Sequence, residues 1–334
     1  MTPIQECILN KRIDRTPIWL MRQAGRYLPE FRKIRRLNPD FVNLCLNENK
    51  SSRITLQPLE RFDLDAAIIF SDILMVPYGL GQNLIFKKKI GPQLEDINFE
   101  KLKRIKKKEF LEKLSPVYKI VKKVKKNSIV KNKDVIGFVG APWTLLVYMI
   151  NKTSPKNKIL NNFFKNKILI DQLLLILEKF LKIHIENQVK NGASIIQIFD
   201  SWAGLLKEKD LEKYVYLPTS NLVKFVKSLD VPVICFPRNI KNYKKFCDEV
   251  NPDVINIDYN VNITNISEKI HIPIQGGLNP NILLSNKDDL KKEALKYLNT
   301  FKNHPYIFNL GHGVMPKTNP KMIDYLVNIV KDFK

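Results

Sequence analysis

Eight short runs of β-branched and other apolar residues recur along the chain, each ending at Gly, Pro or a polar side chain, which is the pattern of buried strands. They cover residues 18–21, 66–70, 135–139, 195–199, 231–236, 254–257, 272–275 and 307–310. Helix-period patterns fill several of the intervals, at 110–126, 171–191, 210–228 and 288–302. Strands that alternate with helices imply a parallel sheet covered on both faces. Eight such units predict a (β/α)₈ TIM-type barrel. A doubly wound sheet is the alternative, but it calls for a Gly-rich phosphate turn after its first strand, and the chain has neither G-x-G-x-x-G nor G-x-x-x-x-G-K-[ST]. No internal repeat, linker or low-complexity tail interrupts the pattern, so residues 1–334 are expected to form one barrel domain.

Charge adds a second constraint. Lys and Arg number 56 against 33 Asp and Glu, a net charge of +23, which suits nucleic acid, anionic lipid or an acidic substrate. Many of the lysines fall between 87 and 133, where apolar residues at 110, 114, 117, 121 and 124 form one helix face and leave the lysines on a solvated one. Abundant Lys, Asn and Ile together also match a drift of coding composition, which carries no functional message. The four cysteines, at 7, 45, 235 and 247, form no Cys-x-x-Cys pair and fit reduced thiols. Residues 1–11 lack a signal-peptide core and no stretch reaches the 18 or so apolar residues of a membrane span, so a cytoplasmic protein is expected.

Chemistry gathers where the apolar runs end. Arg22, Asp72, Asp200 with Ser201, Asp258 and His312 each follow such a run directly, the position at which barrel enzymes carry catalytic groups. After the first run, Arg22, Gln23, Ala24, Gly25 and Arg26 offer two guanidinium forks around a glycine free to take positive φ. They form either a carboxylate or phosphate clamp, or a cap on the strand end that meets surface carboxylates. Asp72 either serves a ligand or caps the next helix, a task Ser71 can take instead. Ser201 has the same two readings. His312 stands between Gly311 and Gly313 with no neighbouring side chain to shield it, whereas His184 is at helical spacing with Leu173, Leu177 and Phe180 and reads as packing.

The string from Thr16 to Arg36 closely resembles the N-terminal signature of the uroporphyrinogen decarboxylase family. The likeness continues through Phe-Ser-Asp-Ile at 70–73, Gly-Phe-Val-Gly-Ala-Pro-Trp at 137–143, Phe-Asp-Ser-Trp-Ala-Gly at 199–204, Gln-Gly-Gly-Leu-Asn-Pro at 275–280 and Gly-His-Gly at 311–313. The resemblance implies removal of carboxyl from the four acetate side chains of uroporphyrinogen III, giving coproporphyrinogen III and CO2 in haem biosynthesis, with no metal or organic cofactor. It assigns Asp72 to the pyrrole nitrogens as the catalytic group, and Arg22, Gln23, Ala24, Gly25, Arg26, Tyr148, Ser201 and His312 to substrate binding, with Arg35 as a further candidate. It also implies a homodimer with facing clefts. Two departures stand out: Asn151 and Lys152 replace the family's usual Glu and Gly, and the turn at 275–280 carries two substitutions and reads as architecture.

Two other classes are weighed against this one. Cobalamin-linked methyltransferases of the same superfamily bind zinc through His-x-Cys and a distant Cys; histidines 184, 271, 304 and 312 and the four cysteines offer no such spacing. A nucleic-acid-binding protein fits the charge, but no binding motif supports it. The expected partners are therefore the tetrapyrrole and a second copy of the chain, without nucleic acid or membrane.

Overall fold

The computed structural model describes residues 1–10, 15–87, 90–155, 164 and 166–333. Its strands are β1 (Ala66–Ile68), a hairpin of β2 (Leu84–Lys87) and β3 (Gly91–Leu94), then β4 (Asp134–Gly140), β5 (Ile195–Asp200), β6 (Val233–Pro237), β7 (Val254–Ile257), β8 (Ile274–Gly276) and β9 (Tyr306–Ile307). Seven of them form one curled parallel sheet in the order β1-β4-β5-β6-β7-β8-β9, with helices packed outside. The hairpin stands apart and was not foreseen.

The expected first strand, 18–21, is a single parallel bridge between Ile18 and Phe308. Side chains have taken its ladder donors: Ile18 N–H donates to Asp65 (2.7 Å), Leu20 N–H to Gln23 (3.0 Å) and Met21 N–H to Asn309 (2.9 Å). The segment still closes the barrel. Asp65 N–H donates to Ile18 O (2.8 Å) on one side, and Phe308 N–H donates to Pro17 O (2.8 Å) on the other. The fold is a TIM-type barrel whose eighth position is this irregular seam.

Alternation along the strands divides the core. Ala66, Ile68, Ile136, Ile195, Ile234, Phe236, Val254 and Ile307 pack inward with Trp19 and Met21, and helix Pro3–Leu9 adds Ile4, Cys7 and Ile8 from below. That helix is fixed to the start of β4 by Gln5, which donates to Asp134 (3.0 Å). Above this layer the interior turns polar: Gln275 accepts from the Trp19 indole (2.8 Å) and donates to Gln197 (3.1 Å) and Asn256 (2.5 Å), all fully buried. Gln275 is satisfied here by its neighbours, while Gln197 Nε2 has no partner among the described residues.

The helical patterns appear at Lys107–Lys125, Lys167–Lys190 and Lys287–Thr300. The fourth is helical from Glu208 to Lys227 but widens into a π-turn at Glu212–Tyr216, which admits Pro218 without its ring striking the preceding turn. His184 is buried against Tyr118, its Nδ1 3.1 Å from the hydroxyl, and burial lowers its pKa to about 3, as packing requires. Lys152 ends helix Pro142–Asn151 at φ 62, a left-handed position that glycine fills without strain. Lysine at this position therefore costs backbone strain, partly offset where Leu94 N–H donates to Lys152 O (2.7 Å) and ties the hairpin to this helix.

Asp65 holds the seam. It accepts from Ile18 N–H, from Arg15 (2.7 Å) and from Lys331 (2.8 Å) of the last helix, and it is only 4% exposed. Asp65→Ala leaves the Ile18 N–H without its acceptor and Lys331 with only the exposed Asp63 at 3.4 Å. It should lower stability by about 3 kcal/mol or more in urea unfolding, the scale of breaking a buried ion pair. Arg15, 37% exposed, should lose under about 1 kcal/mol on replacement by Ala.

Candidate active site

The strand ends place one functional group after another around the barrel's C-terminal mouth. Arg22 follows the seam, Asp72 follows β1, Tyr148 stands on the helix after β4, Ser201 follows β5, Arg238 follows β6, Asp258 follows β7 and His312 follows β9. Beneath them Phe138, Phe199 and Phe236 meet edge to face, with centroids at 5.8 and 6.5 Å, and form an aromatic floor.

Arg22 is set by its backbone. It takes φ 60, so the positive φ expected of Gly25 belongs to the arginine. Gly25 is needed for closeness instead: a Cβ there would lie 2.8 Å from Arg22 O. Gly313 serves the Arg22 side chain in the same way, since a Cβ on it would lie 2.3 Å from Arg22 Cδ. Gln23 is fully buried, its amide donating to Ala66 O (2.8 Å) and accepting from Leu20 N–H, so it props the loop from beneath. Ala24 and Gly25 are half-buried at the rim.

Neither Arg22 nor Arg26 makes an ion pair or a side-chain hydrogen bond among the described residues, so the strand-cap reading, with its surface carboxylates, finds no partner here. Arg22 keeps accessible surface yet is surrounded by protein, the condition of a residue inside a deep cleft. Desolvation lowers its pKa, Asp72 and Tyr148 act against that, and Arg26 and Arg238 add to it. Arg35 is committed elsewhere: it donates to Asn38 O (2.5 Å) and lies over the Phe41 ring at 5.5 Å.

Asp72 takes part in the turn that leads into the next helix, whose own N-cap residue is Leu74. One oxygen accepts from Leu74 N–H (2.9 Å), so Asp72 and not Ser71 makes the turn into helix Met75–Gly79. Its other oxygen has no partner among the described residues. Desolvation raises its pKa to about 6 against the opposing pull of Leu74 N–H and Arg22. Tyr148 is also raised by desolvation and by Asp72, with Trp202 and Ser154 near its hydroxyl, and its ring meets Trp202 edge to face at 5.9 Å. His312 is driven down to about 4 by burial and by Arg22 and Arg238, so at neutral pH it is uncharged.

The Ser201 loop is built from beneath. Thr144 donates to Asp200 (2.6 Å) and accepts from Trp202 N–H (3.1 Å), which leaves Ser201 between two anchored neighbours, its hydroxyl without a partner among the described residues. Burial raises Asp200 to about 7. Gly276 and Gly277, at φ 90 and 99, pack against Asn256 and the Tyr297 ring, an architectural role. Arg238 is the residue missed by reading the sequence, although it comes one position after Pro237 at a strand end like the others. Among the described residues no group of three or more His, Cys, Asp or Glu is placed to hold a metal ion, and no helix is long and apolar enough to cross a membrane.

A TIM-type barrel with unpaired arginines, a desolvated aspartate and an aromatic floor at its C-terminal mouth is a barrel enzyme with a cationic cleft. Residues 1–333 match the family model described as uroporphyrinogen decarboxylase (URO-D), and the chain belongs to that family. It is 41% identical over 334 residues to the uroporphyrinogen decarboxylase of Rickettsia bellii (strain RML369-C), covering 97% of each chain. It is 40% identical over 342 residues to that of Orientia tsutsugamushi (strain Ikeda), covering 100% of this chain and 99% of the other. Among solved structures, a methyltransferase from Methanosarcina mazei aligns with TM-score 0.80 at 15% identity, over 99% of this chain and 97% of that one, a likeness of fold.

Asp72 and His312 separate in a pH profile. Asp72 is ionised above about 6, and His312 is neutral above about 4, so kcat/KM should rise with pH through a midpoint near 6 that belongs to Asp72. The limb should disappear in Asp72→Asn and remain in His312→Gln; a limb that persists in Asp72→Asn assigns it to another group.

Proposed function

We propose that the protein decarboxylates the four acetate side chains of uroporphyrinogen III to coproporphyrinogen III and CO2, in haem biosynthesis, without metal or organic cofactor. The observation that carries this reading is the mouth itself: Arg22 and Arg26, unpaired among the described residues, face a cleft in which a desolvated carboxylate, Asp72, has an oxygen without a partner among those residues. A metal-free tetrapyrrole has carboxylates around its rim and four pyrrole N–H donors at its centre. Arginine forks suit the former and a carboxylate acceptor suits the latter. The aromatic floor takes the ring face.

Protonating a pyrrole carbon makes a cation conjugated to the acetate arm. The bond to the carboxylate then breaks and its electron pair neutralises the ring as CO2 leaves, leaving an exocyclic methylene; that carbon takes a proton to become a methyl group, and the ring carbon gives up the proton it first received, which restores the pyrrole. Asp72, charged and desolvated, stabilises the positive charge on the ring nitrogen more strongly in that state than in the neutral substrate. His312, uncharged, adds no repulsion to the cation. Tyr148 and Ser201 supply hydroxyls at the rim. The same reading takes residues 1–334 as one domain of a cytoplasmic homodimer, the dimer inherited from the family resemblance; sedimentation showing only monomer at micromolar concentration would refute the dimer.

Anaerobic incubation with uroporphyrinogen III, followed by oxidation and chromatographic counting of carboxyls, tests the activity: the eight-carboxyl species should give way to the four-carboxyl one, and exhaustive chelation should leave the rate unchanged. Asp72→Asn should fold normally and lose roughly 10²-fold or more in kcat, the scale of one preorganised electrostatic group. Turnover within about threefold of wild type would reduce Asp72 to a turn former. Arg26→Lys, which cannot copy a bidentate contact, should raise KM several-fold; wild-type kinetics in that variant would remove the clamp.

A further inference from the structure

Arg238 is built into the mouth in a way that packing does not explain. By strand order β6 lies diametrically across the barrel from the seam that carries Arg22. Arg238 N–H donates to Asp200 O (3.0 Å), and Arg238 O accepts from Gly204 N–H (3.0 Å). A Cβ on Gly204 would lie 2.4 Å from Asn239 O, so the loop bearing Ser201 is pressed flat against Arg238 and Asn239. The backbone is therefore fixed on both sides.

The guanidinium is not satisfied by the protein. Its Nε is buried without a hydrogen-bond partner, and the one carboxylate within ion-pair distance among the described residues, Asp258, is 3.8 Å away, beyond hydrogen-bond reach. That Asp258 oxygen is unpartnered too, while the other accepts from Tyr243 (2.9 Å) and from Asn239 N–H. Asp258 is thus anchored by other residues, and Arg238 only leans toward it. With 22% of its side chain exposed, Arg238 opens to the cleft and brings the arginines there to three. A buried donor left unpaired in a positive cleft implies an acceptor brought by the ligand.

We infer that Arg238 is a substrate-binding residue that receives a rim carboxylate of the tetrapyrrole on the side of the cleft opposite Arg22 and Arg26. This rests on the decarboxylase reading, and it explains how a macrocycle with carboxylates all round its rim is held from both sides. Loss of a contact made equally in ground and transition states raises KM and spares kcat.

The test is steady-state kinetics on the full-length protein with uroporphyrinogen, using Arg238→Gln, Arg238→Lys and the double variant Arg238→Gln with Asp258→Asn. The double variant removes the cation without stranding Asp258, so it remains informative if the single variant fails to fold. KM should rise about tenfold or more in Arg238→Gln or the double variant, the loss of one charge-assisted hydrogen bond, with kcat within about threefold. Arg238→Lys, which keeps the charge, should recover much of the loss. A folded Gln or double variant with wild-type KM overturns the inference. Failure of the wild-type protein to decarboxylate uroporphyrinogen overturns the underlying reading instead, and the two results are separate measurements.

Discussion

The cleft depends on how Arg22 is held. A long cationic side chain at φ 60 is strained for any residue but glycine, and it persists because the surrounding structure leaves no other path. Met21 N–H is fixed by Asn309 at 2.9 Å, Met21 O by Val314 N–H at 2.9 Å, and the loop beyond by Gln23 beneath it. Gly313 then makes room for the guanidinium stem. The first and last strand positions thereby meet at one residue, so closing the barrel and aiming the arginine are a single event. The irregular seam is where backbone regularity is given up for that purpose: its donors go to side chains that also position the mouth.

Charge is used differently inside the mouth and outside it. On the surface the lysines meet acids at helical spacing, as Lys182 with Glu178 (2.6 Å) and Lys244 with Asp248 (2.6 Å), pairs worth little to stability. In the mouth Arg22 and Arg26 find no such partner among the described residues, Arg238 only approaches Asp258 at 3.8 Å, and Asp72 stands within reach of Arg22's field without a hydrogen bond to it. Unpaired cations and a carboxylate raised to about 6 are costly in an empty protein. That cost is recovered when an anion with central N–H donors enters, which makes binding and the electrostatics of decarboxylation two aspects of one arrangement.

Much of this was readable in the chain because barrel strands are short apolar runs and their chemistry comes at their ends. Asp72, Ser201 and His312 were found at those ends, and the helical faces at 110–124 and 171–191 followed from spacing. What could not be read depends on partners far apart in sequence. The seam looked like a strand because Ile18 to Met21 is apolar, while the side chains that take its donors stand at 65 and 309. Trp19 and Gln275 are 256 positions apart. Gly25 looked like the flexible point because glycine tolerates positive φ, yet the close approach of Arg22 O used that glycine for its small size. Arg238 was overlooked although it is placed as the others are, since Pro237 hides the strand end; its unpaired Nε is visible only in three dimensions.

The central claim is that the free oxygen of Asp72 and the unpaired arginines together receive a tetrapyrrole. A crystal structure of the protein with coproporphyrinogen bound under anaerobic reduction tests it most directly. The account predicts pyrrole N–H groups at about 2.8–3.2 Å from Asp72, the ring over Phe138, Phe199 and Phe236, and rim carboxylates on the guanidinium groups. A product bound with Asp72 still held only by Leu74 N–H, or seated away from that floor, would contradict it.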